Sequence, residues 1–247
     1  MPTKLSIITV VDDSYNNLLI LAENIKPILE NDQIEWVIKD SGCCKKTLQW
    51  GNKNKVKNLI FISSKDNGIY DALNLAIIES KGTYYLVVGS DDSLIKENIF
   101  RLLEKIDSFT NFDVISFPVM TIKGLVRVNK YLPISVNIKS LIASHSVGTL
   151  IKKNVHFKYG FYKERYKILA DSYFISLIKK NKILQLEYMY LGTFSLNGVS
   201  SKKNIVIIFE AFKYHIDLGH NFLLQCLILI VRFLLLIVRF LRFKIKY

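Results

Sequence analysis

The chain has 247 residues, 50% hydrophobic and 22% charged, with 34 Lys and Arg against 21 Asp and Glu and a formal net charge of +13. So apolar and aromatic a composition excludes a disordered chain. With 11 Gly and 4 Pro it also excludes a collagen-like or low-complexity one, and three Cys exclude a disulfide framework. The length suits one large domain, or one domain with an appendage. Vicinal Cys43 and Cys44 suit a reducing compartment, and Met1 to Ser6 carries no apolar signal region, which predicts no export.

The first half alternates between strand and helix patterns. Lys4 to Val11 reads as a buried strand and Leu18 to Leu29 as a helix disturbed by Pro27 in its last turn. Ile34 to Lys39 and Asn58 to Ser63 are the second and third strands. Ile69, Ala72, Leu73, Ala76 and Ile77 follow the helical i, i+3, i+4 spacing, so Ile69 to Ser80 is a helix closed by Lys81-Gly82. Tyr84 to Val88 is the fourth strand, and Leu94 to Ile106 a helix with Ser93 as its N-cap. Beyond Asp113 the pattern loosens. Asp113 to Phe117 reads as strand, Val119 to Tyr131 as a hairpin around Lys123-Gly124, Ser135 to Ala143 and Asp171 to Lys180 as helices, and Ile183 to Tyr190 as strand. Strands alternating with helices predict an α/β fold: a mostly parallel central sheet covered by helices on both faces.

An open parallel sheet binds ligands beyond the carboxyl ends of its strands. Here those ends carry Asp12 and Asp13, then Asp40, then Asp66, then Asp91 and Asp92. In a basic chain that clustering runs against the trend. Adjacent carboxylates repel unless a cation intervenes, and Mg²⁺ or Mn²⁺ takes such oxygens and completes its shell with substrate phosphates. The chain has no Walker A sequence and no G-x-G-x-x-G, so a phosphate ligand would be held through the metal. Taken alone, Asp91-Asp92-Ser93 is equally a helix start, and Asp171 a first-turn acid favoured by the helix dipole.

Several segments together resemble the family-2 glycosyltransferases, which have the GT-A fold. They are Leu5 to Val11, Asp40-Ser41-Gly42, Asp66-Asn67-Gly68-Ile69-Tyr70-Asp71-Ala72-Leu73-Asn74, and Lys81-Gly82 through Gly89-Ser90-Asp91-Asp92. Ser144-His145, Tyr166 to Asp171 and Gly198-Val199-Ser200-Ser201 extend the likeness to residue 201 in the family's order. The likeness is greatest to bacterial enzymes that build surface polysaccharide. It implies a GT-A domain over 1–201, a nucleotide-sugar donor with UDP preferred, a divalent metal (Mn²⁺ or Mg²⁺) and inversion at the anomeric carbon. It implies Asp92 as metal ligand and Asp91 on the ribose or the metal shell. Asp40 falls at the base-recognising acid, Thr9, Val11, Asp66 and Asp71 line the donor side, and Asp171 falls at the general base for the acceptor hydroxyl. His145 is open between a diphosphate or acceptor contact and a structural loop histidine. The sequence departs from the family at Asp12-Asp13, at Cys43 to Lys46, at Ser146 and at Tyr173. Two rival classes share the acids: a membrane-attached nucleotide-sugar-binding protein without catalysis, and a metal-dependent nucleotidyltransferase.

Residues 202–247 form a helical extension in this reading. From Asn221 onward there is no acid, while Arg232, Arg239, Arg242, Lys244 and Lys246 sit in the most apolar stretch of the chain. Arg232, Arg239, Arg242 and Lys246 fall in one narrow helical sector, with Leu223, Leu227, Ile230, Leu234, Ile237 and Leu241 around the rest. That pattern predicts a segment lying on an anionic membrane surface over 221–247, rather than across it, and no nucleic-acid partner. The expected place is the cytoplasmic face of the plasma membrane, beside a polyprenyl-diphosphate-linked saccharide acceptor.

Overall fold

The computed structural model describes residues 2–54, 56–127, 145–195 and 204–244. The strands are β1 (Leu5–Val11), β2 (Ile34–Asp40), β3 (Leu59–Ser63), β4 (Tyr84–Val87), β5 (Ser93–Leu94), β6 (Val114–Ser116), β7 (Val119–Thr121), β8 (Gly124–Val126), β9 (Thr149–Lys152), β10 (Ile183–Gln185) and β11 (Gly192–Thr193). The helices are α1 (Tyr15–Ile25), α2 (Lys45–Lys53), α3 (Ile69–Glu79), α4 (Lys96–Lys105), α5 (Val155–Tyr159), α6 (Ala170–Ser176), α7 (Asn204–Asp217) and α8 (Phe222–Lys244).

A seven-stranded sheet runs in the order β10-β6-β9-β4-β1-β2-β3, and within it β9 alone opposes the common direction. A second sheet, β5-β11-β7-β8, stands apart from it. The period-2 alternation of β1 sorts its side chains to two faces. Leu5, Ile7 and Val11 join α1 and α4 in one core, while Ile8 joins α3, α6 and α7 in the other. The mostly parallel sheet with helices on both faces is therefore as the sequence predicts. The predicted helix over 135–143 lies outside the described residues.

Three local differences have physical causes. Ser93 does not cap a helix: it pairs in β5 with Thr193, their hydroxyls 2.5 Å apart, and α4 starts at Lys96. α2 escapes a periodicity reading because it is short and polar. It sits on β3 through Gly51, where a Cβ would come within 2.3 Å of the Phe61 ring. β9 is only four residues long and fills the gap between β4 and β6 in the reverse direction.

The edge of the sheet remote from the strands' carboxyl ends is pinned by Glu35, which is buried. Its Oε1 accepts from the Ser6 hydroxyl (2.6 Å) and from the main-chain N–H groups of Lys81 and Gly82. A Cβ at Gly82 would meet Ser6 Oγ at 2.5 Å, Ser6 N at 2.6 Å and the Tyr84 carbonyl at 2.8 Å. Two of those are backbone atoms that cannot swing aside. Gly82→Ala is therefore expected to cost about 1–3 kcal/mol, read as a lower urea midpoint. An unchanged midpoint would show that this turn yields.

Candidate active site

The parallel register of β1, β2, β3 and β4 delivers the acids of four successive strand ends to one edge. They do not remain a bare cluster. Asp66 is neutralised by Lys39, whose side chain is fully buried; Lys39 Nζ donates to Asp66 Oδ2 at 2.8 Å and to the carbonyls of Asp40 and Ser64. Asp66 Oδ1 then accepts from Gly68 N, and Asp71 Oδ2 from Asn67 N, so these two carboxylates shape the turn that opens α3. Asp12 accepts from Ser41 and Cys43 at the neighbouring turn.

Asp40 closes β2 and is fully buried. Its Oδ2 accepts from Ser63 Oγ (2.8 Å) and Gly42 N (3.0 Å), whereas Oδ1 has no hydrogen-bond partner among the described residues. An unpaired buried carboxylate oxygen is costly, and an N–H donor brought to it would satisfy it.

Asp91 and Asp92 follow β4. Asp91 is exposed and Asp92 is buried. Asp92 Oδ2 accepts from Gly89 N (2.9 Å) and Oδ1 from Ser195 N (3.0 Å), tying this turn to the segment after β11. Burial, reinforced by the Asp91 charge and opposed by those two N–H groups, pushes the Asp92 carboxyl up to about 6. A Cβ built on Gly89 would lie 2.9 Å from Asp92 Oδ2 and 3.1 Å from Asp91 Oδ1, so both carboxylates converge on a space that only a glycine leaves open. Among the described residues no group of three or more His, Cys, Asp or Glu converges as a metal cage. Two carboxylates converging at the Gly89 turn are the oxygen-donor type that a hard cation accepts.

Asp171 stands apart from these acids, in the first turn of α6. Its Oδ1 accepts from Ser172 N (2.7 Å) and from the Tyr70 hydroxyl (3.2 Å); that hydroxyl also donates to the Ile168 carbonyl at 2.5 Å. Burial raises the Asp171 carboxyl above the ordinary value, and the Ser172 and Tyr70 donors pull against it. A carboxylate made more basic by its surroundings, yet ionisable, suits proton abstraction.

The side chains of Thr9 and Val11 are fully buried: the Thr9 hydroxyl accepts from the Trp36 indole at 3.0 Å, and Val11 packs in the core beside α1. His145 stacks on Phe194 with ring centroids 3.5 Å apart, and burial lowers it to about 4, so near neutrality it would meet a phosphate as an uncharged group. Tyr84 and Tyr85 are buried packing residues; Tyr70 is buried too, but its hydroxyl reaches Asp171. The motif segment 198–201 and Ser144 lie outside the described residues. The role of Tyr70 was missed because its pairing with Asp171 spans 101 residues of sequence.

No protein-family model matches the chain. It is 26% identical over 183 residues to "PGL/p-HBAD biosynthesis glycosyltransferase" of Mycobacterium bovis (strain BCG / Pasteur 1173P2), covering 72% of this chain and 71% of that protein. The Mycobacterium tuberculosis (strain ATCC 25177 / H37Ra) protein of the same description matches equally. Among solved structures, S. aureus TarS 1-349 in complex with UDP superposes with a TM-score of 0.63 at 19% identity, over 92% of this chain and 70% of that one. The mannosyltransferase PcManGT from Pyrobaculum calidifontis, in complex with GDP-Man and Mn²⁺, gives 0.64 at 11% identity, over 90% and 67%.

The Asp171 geometry predicts a titration. Its carboxyl resonance should titrate above the range of a free aspartate. Tyr70→Phe should move the midpoint further up, since it removes a donor that stabilises the ionised form. Carboxyl ¹³C NMR reads both, and a downward move would show that the hydroxyl does not serve Asp171.

Proposed function

We propose that the chain, whose curated relatives are glycosyltransferases and whose fold is that of its structural neighbours, is itself a glycosyltransferase: an inverting enzyme, moving one sugar from a nucleotide donor, UDP-sugar by preference, to a lipid-linked saccharide in surface glycan assembly. The observation that carries this reading is the separation of two carboxylate systems. Asp91 and Asp92 converge at the end of β4, while the basic-shifted Asp171 sits on α6 with a phenol donor of its own.

Each residue then has a task. Asp92 and Asp91 would hold Mn²⁺ or Mg²⁺ against the donor diphosphate; the cation supplies positive charge where the leaving group gains negative charge. Asp40 Oδ1 would accept an N–H of the nucleotide base. Asp66 and Asp71 hold the turn beside the donor in shape rather than touching it with free oxygens. His145 would lie at the diphosphate or acceptor side as a neutral ring. Asp171 takes the proton from the acceptor hydroxyl as that oxygen attacks the anomeric carbon from the face opposite the nucleotide. Inversion follows from one such displacement.

The C-terminal helices support a membrane seat. α8 turns its polar positions inward: Gln225 is 1% exposed and Arg232 7%. Leu223, Leu227, Ile230, Leu234 and Ile237 face outward, each more than half exposed. This corrects the expected basic stripe at Arg232, which lies buried near Tyr214 of α7 and is lowered by that burial. The side chains of 239–247 lie outside the described residues. Among the described residues no helix is long and apolar enough to cross a membrane. An outward apolar face on a chain end without acids suits the interface of an anionic leaflet, and it would bring the site to lipid-linked acceptors at the cytoplasmic surface.

The deciding assay supplies the full-length protein with UDP-, GDP- and dTDP-sugars, Mn²⁺ and a polyprenyl-diphosphate-linked saccharide, and measures nucleotide release. Pyrophosphate release from a sugar phosphate and a nucleoside triphosphate would instead mark a nucleotidyltransferase, and metal-dependent binding without turnover a binding protein. Asp92→Asn should abolish metal-dependent UDP binding with the fold retained. Asp171→Asn should lower transfer by about 10²–10⁴-fold with UDP binding unchanged. Wild-type transfer by Asp92→Asn after chelation would remove the metal assignment.

The seat has its own test. Leu227→Glu with Leu234→Glu should abolish cosedimentation with phosphatidylglycerol vesicles, while high salt alone should release the wild-type protein only in part, because apolar burial survives screening. Unchanged vesicle binding by the double variant would place the anchor elsewhere.

A further inference from the structure

The main chain that leads into α6 is held from outside the catalytic sheet. Glu210, on α7, is 6% exposed, and its carboxylate is fully occupied. Oε1 accepts from Lys167 N at 2.6 Å; Oε2 accepts from Ile168 N at 2.9 Å and Leu169 N at 3.0 Å. Three successive N–H groups that precede the helix therefore point at one carboxylate. Such a run of amides is a local positive concavity, and hydrogen bonds to an ionised acceptor are the strong kind.

The same segment carries the other constraint on Asp171. The Ile168 carbonyl accepts from Tyr70, and the Tyr70 hydroxyl reaches Asp171 Oδ1. Residue 168 is thus gripped on its N–H by Glu210 and on its carbonyl by Tyr70, three residues before Asp171. Two turns further along α7, Asp217 accepts from the Tyr166 hydroxyl and from Arg165, fixing the start of the segment. Ala211 and Tyr214 pack in one core with Tyr166, Leu169, Ala170 and Phe174, so the two helices part only if that core breaks.

We infer that Glu210 is a positioning residue for the Asp171 carboxylate, which makes the C-terminal helices part of the catalytic apparatus and not solely an anchor. This rests on Asp171 being the base. A polar group placed this deep would be replaced by an apolar side chain at little loss if packing were its sole task, provided the three amides found other acceptors. They have none nearer than Glu210, and the segment they belong to ends in the base. A base misplaced by about 1 Å costs about 10²-fold in rate, because the proton must be met at hydrogen-bond distance.

The test compares full-length wild type with Glu210→Gln, Glu210→Asp and Asp171→Asn. Three readouts are taken: UDP binding with Mn²⁺ by calorimetry, kcat in the nucleotide-release assay, and the Asp171 carboxyl titration by ¹³C NMR. The titratable groups around Asp171 are the phenols of Tyr70 on α3, Tyr85 on β4 and Tyr162 before α6. None of them ionises near neutral pH, so the titration reports Asp171 itself.

In Glu210→Gln the segment loosens and water reaches the carboxyl, so its midpoint should fall toward the ordinary value. kcat should drop by about 10–100-fold, with UDP affinity within about twofold of wild type. Glu210→Asp keeps the charge one methylene short and should fall between. A folded Glu210→Gln protein with an unmoved Asp171 midpoint and wild-type kcat overturns the inference. So does failure of both Glu210 variants to fold, which would make Glu210 a brace of the whole domain. Wild-type transfer by Asp171→Asn is a separate outcome: it removes the base assignment, whatever Glu210 does to the titration.

Discussion

Parallel pairing of β1 with β2 and β4 fixes where chemistry can occur in this molecule. Leu5 to Val11 runs beside Ile34 to Asp40 residue for residue, and beside Tyr84 to Val87 on its other side. With β3 beside β2, four strands end at one edge, and whatever follows them is brought together, here six carboxylates within a basic chain. Like charges so placed oppose folding. The structure answers by giving most of them a partner: Lys39 for Asp66, main-chain N–H groups for Asp92, Ser63 and Gly42 for Asp40, and the Ser41 hydroxyl and Cys43 thiol for Asp12.

What is left over after that neutralisation is informative. Asp91 stays exposed, Asp40 keeps one buried oxygen unpaired, and the convergence of Asp91 and Asp92 falls where Gly89 leaves room. Those features suit a cation and a donor nucleotide better than they suit stability. Lys39 also sets a boundary. By pairing with Asp66 it commits that acid to the turn that opens α3, whereas Asp91 at the end of β4 stays exposed.

The sheet and its strand-end acids were legible in the sequence because both depend on local pattern: β-branched runs, the 3.6-residue spacing of α3, and glycines at Gly82 and Gly89. Tertiary partners were not. Ser93 reads as a cap until Thr193 is beside it, Thr9 falls in a buried strand whose pattern does not name Trp36 as its partner, and Arg232 reads as part of a membrane-facing basic stripe until α7 covers it. In each case the deciding group lies 27 to 100 residues away in sequence, or on another helix. Periodicity states which residues share a face; it does not state what that face meets.

The C-terminal helices show that limit most clearly. A helix with two polar inward positions and an apolar outward surface is the reverse of a water-facing helix. Its inward polar side packs towards α7, and its outward apolar side is exposed among the described residues. α7 in turn carries Glu210, whose charge is matched by three amides rather than by a cation. Those amides belong to the one segment that joins Tyr70 to Asp171. If the outward face of α8 meets an apolar boundary, as proposed, the carboxylate on α7 links that boundary to the oxygen that would take the proton. Glu210 makes its hydrogen bonds to the approach to Asp171, which is why disturbing it is expected to touch the acceptor side and leave nucleotide binding alone.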